Sequence, residues 1–237
     1  MPGEWIVPAG AARDAFDRLV FDAVRPLPAR SPLGDRSAPQ TRVHILVDGW
    51  ACRYAMLADG RRRIVAFHLP GDICDFDMVM AGRQDRAIAT ITPARVASVD
   101  RDALATLSAA HPEIGEALWT DALGAVAIQS AWTINVGHRA ANQRLAHLLC
   151  ELYVRLERIG LAADGPCALP LTQFHLADAC ALTAIHTNRA LQELRRDGLL
   201  SLESRCLTIH DRPRLEALAA FDPGYLDRVG VPPQPRP

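Results

Sequence analysis

At Asp100 the spacing of the apolar residues changes, and that change limits the folds open to the chain. Upstream, from Arg42, short apolar runs at 43–47, 50–57 and 64–69 are separated by Asp48-Gly49 and Asp59-Gly60 and closed by Pro70-Gly71-Asp72. Asp-Gly between apolar runs is a strong hairpin signal, because both turn positions tolerate positive φ. Two hairpins in tandem, followed by strands at 86–92 and 95–99, predict an antiparallel β-roll, or jelly roll. Ahead of them a helix over 11–24 would place Phe16, Leu19, Val20 and Val24 on one face.

Downstream the period becomes helical. Asp100 can cap a helix over 101–110, and Pro112 suits the first turn of a long helix over 112–136. That helix carries two apolar stripes: Leu118, Ala122, Ala125, Trp132 and Val136 on one, Ile114, Leu123, Val126, Ser130 and Ile134 on the other. A helix apolar on two sides must be covered twice. Either one stripe packs on the β domain and the other on the same helix of a second subunit, with Gln129 interrupting the first seam, or a monomer buries it whole. Gly137-His138 is expected to break this helix and serve as a hinge. A second helix over 139–159 follows, with Leu145, Leu148, Leu149, Leu152, Leu156 and Ile159 on one face and Gly160 as its stop. The Pro-rich end, from 221 onward, reads as a mobile tail.

Composition narrows the function classes. Of the 237 residues 49% are apolar and 22% charged, which fits a soluble globular chain. No window is apolar enough for a membrane span and the first ten residues lack a signal-peptide pattern, so we expect no membrane partner and a cytoplasmic protein. The six cysteines (Cys52, Cys74, Cys150, Cys167, Cys180, Cys206) show no C-x-x-C pair and read as free thiols acting as small hydrophobes. No metal or cofactor is expected; haem ligation by Cys74 with His68 or another histidine is left open. The formal net charge of -1 gives no global basic signature. Every basic residue is nevertheless Arg, whose guanidinium grips phosphate or guanine bidentately, although a G- and C-rich genome gives the same bias.

The most informative stretch is 171–200. Thr172 can cap a helix that turns Leu176, Ala177 and Cys180 inward, and Thr183 can cap a second helix running to Arg196. Only Ala181 and Leu182 lie between, and Ala177 supplies the small residue that so tight a crossing needs. A positive φ at Ala181 would cost about 1 kcal/mol. After Asp197-Gly198, two short strands around Glu203-Ser204-Arg205 form a wing. A winged helix-turn-helix sets its second helix in the DNA major groove and the wing over the flanking backbone.

Leu182, Thr187, Ala190, Leu191 and Leu194 face inward by spacing, leaving Ala184, Ile185, His186, Asn188, Arg189 and Gln192 toward DNA. Arg189 can pair with O6 and N7 of guanine, His186 or Asn188 can reach a second base, and Ala184 and Ile185 suit a thymine methyl. Thr183, Gln173, Arg195, Arg196 and Arg205 are the candidate phosphate contacts. Singly, each has a plain alternative: Arg189 as a solvated helix arginine, His186 as polar filler. The whole pattern is the argument.

These motifs in this order resemble the Crp/Fnr superfamily of bacterial transcription regulators, over Arg42 to about Ile209. The likeness rests on Asp48-Gly49, Asp59-Gly60, Pro70-Gly71-Asp72, the long helix, and Thr183, Asn188, Arg189, Leu191 and Leu194 followed by Gly198-Leu199. It implies an α+β protein: a cyclic-nucleotide-binding-like β-roll (1–110), a dimerisation helix (111–137), a winged helix-turn-helix (138–220) and a tail (221–237). It implies a homodimer on double-stranded, pseudo-palindromic DNA, with RNA polymerase as a further partner and Arg189 at the family's base-reading position. Where cyclic-nucleotide-binding members carry Gly-Glu and Arg-Ser pairs, this chain has Asp75-Phe76 and Arg86-Ala87. The effector pocket is therefore not expected to take a cyclic nucleotide, and the first cysteine, Cys52, lies too far along for an N-terminal iron–sulfur site. The recognition helix also begins with Ala184 and Ile185 where the family often has Arg and Glu. We expect a regulator and not an enzyme; the rivals are a cupin-like metal enzyme using His44 and His68, and a sensor whose C-terminal domain binds protein.

Overall fold

A computed structural model describes residues 7, 9–34, 40–82, 87–163 and 165–227. The chain divides into two compact units, Met1–Ala125 and Val126–Pro237.

The first unit holds α1 (Ala11–Asp22), β1 (Val24–Leu27), β2 (Arg42–Asp48), β3 (Ala51–Met56), β4 (Arg62–His68), α2 (Phe76–Met80), β5 (Ala87–Thr90), β6 (Ala94–Asp100) and α3 (Arg101–Ala110). It also holds the first half of α4 (Pro112–His138). The strands form two antiparallel three-stranded sheets, ordered β1-β6-β2 and β4-β3-β5. Strand β2 is buried on both faces, which is why its residues are apolar on both, with one buried exception, His44. Val43, Ile45 and Val47 pack with Phe16 and Val20 of α1, Val99 of β6, Leu104 of α3 and Ile114 of α4. On the opposite face Leu46 joins Cys74, Met78, Ile88 and Val96.

Two expectations for this unit change. Asp59-Gly60 does close a β3–β4 hairpin, with Met56 opposite Arg62. Asp48-Gly49, however, is a corner at which the chain leaves one sheet for the other, since β2 pairs with β6 and β3 with β4 and β5. Gly49 has φ 89°, and a Cβ there would lie 2.6 Å from the Pro93 carbonyl oxygen and 2.8 Å from the Ala94 Cβ. Only glycine fits so close an approach. The first helix stops at Asp22, and Val24 pairs with Ala97 as the start of β1 instead of extending the helix face. Asp100 caps α3 as expected, its Oδ1 accepting from the amides of Asp102 and Ala103.

The second unit is built on α5 (Ala141–Arg158), whose Leu145, Leu149 and Leu152 are fully buried. Around it lie β7 (Cys167–Ala168), α6 (Gln173–Cys180), α7 (Ala184–Arg196), β8 (Leu200–Glu203), β9 (Cys206–Ile209), α8 (Arg212–Ala219) and a 3-10 turn (Pro223–Leu226). The wing is a sheet of order β7-β9-β8. Gly160, at φ 71°, stops α5, and the Leu161 amide closes back on the Leu156 carbonyl at 2.9 Å.

Here too the junctions differ from expectation. Gly137 does not break α4; the helix runs on to His138 and the chain turns at Arg139-Ala140, with Ala140 extended at ψ 165°. The Ala140 amide donates to Gln143 Oε1 at 3.1 Å, satisfying one orphan group at the new helix start. The expected mobile tail is docked over its first residues: Phe221 is buried, and its ring centroid lies 5.2 Å from that of His147. Residues 228–237 lie outside the described residues. No helix among the described residues is long and apolar enough to cross a membrane.

Candidate nucleic-acid interface

The helix-turn-helix forms where the caps place it. Thr172 Oγ1 accepts from the His175 amide at 3.3 Å and Thr183 Oγ1 from the His186 amide at 3.2 Å, so α6 and α7 both start on a threonine. Between them Ala181 is left-handed at φ 55°, ψ 41°, the strained geometry the tight turn demands. Thr187, Ala190, Leu191 and Leu194 are buried, and the Thr187 hydroxyl donates to the Thr183 carbonyl at 3.0 Å. Leu182, expected inward, is half-buried.

The opposite face carries the expected reading set. Ile185, His186, Arg189 and Gln192 are exposed, while Ala184 and Asn188 are half-buried. The Arg189 side chain is 79% exposed and its Nε lies 3.3 Å from Glu193 Oε1, one helical turn on. His186 Nδ1 sits 3.1 Å from Thr183 Oγ1, which engages only one edge of the ring. The Asn188 Nδ2 donates to Gln173 Oε1 at 3.3 Å, tying the outer face of α7 to the start of α6.

The arginines divide. Arg196 is exposed beside Asp197, and Arg205 sits at the tip of the wing. Arg195, expected on phosphate, is half-buried and donates through Nη2 to the Leu202 carbonyl. Its guanidinium braces β8 against α7, because the side chain leaves the helix toward the wing.

In the first unit Asp75 is fully buried, and both its oxygens are taken by His44: the backbone amide donates to Oδ1 at 2.7 Å, and the ring Nδ1 lies 2.5 Å from Oδ2. A carboxylate held this way is not turned toward a ligand anion. Phe76 is half-buried at the start of α2, Ala87 opens β5, and Arg86 lies outside the described residues. His44 and His68 stand on strands of different sheets. Burial, with Asp75 and Asp72 nearby, pushes the Cys74 thiol well up. Burial also pushes Cys150 and Cys180 to about 12 and Cys167 to about 11, so these thiols stay protonated.

Comparison with known proteins agrees with this geometry. Residues 143–218 match the Crp-like helix-turn-helix domain and residues 24–111 the cyclic nucleotide-binding domain. The nitrogen fixation regulation protein FixK of Azorhizobium caulinodans is 27% identical over 177 residues, 74% of this chain and 71% of the relative. The transcriptional activator protein FnrL of Cereibacter sphaeroides is 28% identical over 183 residues, 75% of this chain and 72% of the relative. The solved structure of FixK2 from Bradyrhizobium japonicum superposes with a TM-score of 0.75 at 28% identity, covering 84% of this chain and 98% of that one. With a cyclic-nucleotide-binding-type roll followed by a Crp-like helix-turn-helix, the chain belongs to the Crp/Fnr family of DNA-binding transcription regulators.

Proposed function

We infer that the protein acts as a homodimer on an inverted-repeat promoter site, with each Arg189 reading a guanine through O6 and N7. The observation that carries this is the exposure of Arg189 on an α7 whose other face is fully buried: the helix is anchored on one side and offers its polar side to a groove. Ala184, Ile185, His186 and Asn188 flank it toward the bases. Thr183, Gln173, Arg196 and Arg205 supply the phosphate contacts, and Arg195 acts through the wing it holds.

The dimer is supported by α4. Trp119, Leu123, Val126 and Ile134 are apolar and half to two-thirds exposed, with Ser130 also exposed among them. Positions 119, 123, 126 and 130 keep the alternating four-and-three spacing of a coiled-coil seam. Ile114, expected on this stripe, is fully buried in the first unit instead, and Trp119 takes its place on the seam. An inverted-repeat site requires the two copies of α7 about one DNA turn, ~34 Å, apart. On this reading the roll (1–110) senses, α4 dimerises, and Arg139-Ala140 is the hinge through which a signal reorients 138–220. The protein is a non-enzymatic cytoplasmic regulator that meets RNA polymerase at the promoter.

Selection of bound sequences from random duplex DNA tests the reading. It should return an inverted repeat whose guanine preference is lost in Arg189→Ala. No enriched sequence would overturn it.

A further inference from the structure

Ile185 is 80% exposed, more than any other large apolar side chain among the described residues. It stands in the first turn of α7, where Leu191 and Leu194 are fully buried, so its exposure reflects position and not a loosely packed helix. An aliphatic side chain left in water on an otherwise polar face gains nothing from folding. Its return must come from a surface that covers it.

The position defines that surface. Ile185 and Arg189 are four residues apart on one face, about 6 Å along the helix axis. Base pairs follow each other every 3.4 Å or so, which places Ile185 within about two steps of any guanine that Arg189 reads. The base edges in the major groove are donors and acceptors with one apolar exception, the thymine 5-methyl. Over any other edge an isoleucine would displace water from polar atoms and offer no hydrogen bond in exchange. The neighbouring apolar side chain, Ala184, is short and half-buried.

We propose that Ile185 is a specificity-determining residue that selects, through its 5-methyl group, a thymine within two base pairs of the guanine read by Arg189 in each half-site. This rests on the Arg189 reading above. The test begins with the duplex selected by the full chain and replaces its thymines, one position per half-site at a time, with deoxyuridine, which lacks only the methyl. One such thymine should weaken binding roughly fourfold per half-site when replaced, the worth of one buried methyl. Ile185→Ala should bind thymine and deoxyuridine duplexes alike while keeping its preference for guanine.

The proposal is overturned if no thymine lies within two base pairs of the guanine, if deoxyuridine costs nothing, or if its cost persists in Ile185→Ala. An inverted repeat with an Arg189-dependent guanine but no methyl effect sinks the Ile185 assignment alone. Failure to enrich any sequence sinks the DNA reading and this proposal together.

Discussion

The Trp132 indole Nε1 donates to the Glu151 carboxylate, 2.9 Å from Oε2 and 3.1 Å from Oε1. Glu151 is fully buried, and it also accepts from the Tyr225 hydroxyl at 2.8 Å, with Arg155 Nη1 3.6 Å away. One carboxylate thus joins α4, α5 and the C-terminal 3-10 turn. Burial raises its pKa, and Arg155, Tyr225 and Trp132 pull it back. Removing the acceptor strands the buried Trp132 donor, the half-buried Tyr225 hydroxyl and a mostly buried guanidinium. Glu151→Ala should cost about 3–5 kcal/mol in urea unfolding, and Trp132→Phe about 1–3. A Glu151→Ala loss below about 1 kcal/mol would show that the junction does not depend on this group.

His147 shapes the pH response of the same cluster. Its ring stacks on Tyr225 at 6.0 Å, and its Nδ1 is buried with no hydrogen-bond partner among the described residues. Burial, helped by Arg139, lowers its pKa from 6.5 to about 4. Between those values the unfolded chain binds more protons at this residue than the folded one. Stability should therefore fall as the pH drops from 6.5 toward about 4, by at most about 1.4 kcal/mol per pH unit. Glu151, with its raised pKa, contributes the opposite slope, so the informative comparison is with His147→Phe, which keeps a ring and cannot titrate. Equal pH slopes in the two proteins between pH 4 and 6.5 would rule the histidine out.

What the sequence revealed depended on how local the cause was. Thr172, Thr183 and the buried leucines act within one or two turns, so the starts of α6 and α7 are legible to the residue; for Ala181 only the cost that a left-handed turn would carry is legible. Asp48-Gly49 announced a turn correctly but not its partner strands, because pairing is decided by Pro93 and Ala94 far along the chain. Gly137 looks like a break because glycine weakens helices, yet the cost of about 1 kcal/mol is small beside the burial of Trp132 near it. The docking of Phe221 and Tyr225 was masked by the prolines that follow, since composition averages over a segment while two aromatic rings can hold it. Arg195 belonged to the wing for a reason no spacing rule carries: its partner is a backbone carbonyl on another element.

The α4 seam separates two effects of one substitution. Leu123 and Val126 are 50% and 62% exposed in a single chain, so placing a charge there should barely alter the fold of that chain. In a dimer the same charge would face its own copy across the seam. Val126→Glu should sediment as a monomer at concentrations where the parent is a dimer, with unchanged far-UV circular dichroism. DNA affinity should fall at least tenfold as one half-site loses its occupant, about 1.4 kcal/mol or more. A Val126→Glu protein that remains dimeric would place the contact elsewhere.

The wing tip sets stability against binding. Ser204 and Arg205 form the two-residue turn between β8 and β9, both left-handed at φ 48° and 62°, a geometry suited to Asn-Gly. An L residue other than glycine costs about 1–2 kcal/mol in that region. Arg205 gains nothing from folding in return, because its side chain is exposed. A strained backbone beneath an exposed cation fits a group kept for a phosphate. Arg205→Gly should therefore raise stability by about 1 kcal/mol while weakening DNA binding evenly across sequences. The slope of log affinity against log salt should fall by about 1 per subunit. A variant that gains stability with affinity and salt dependence intact would remove the wing tip from the DNA contact, and one that loses guanine preference would make Arg205 a base reader.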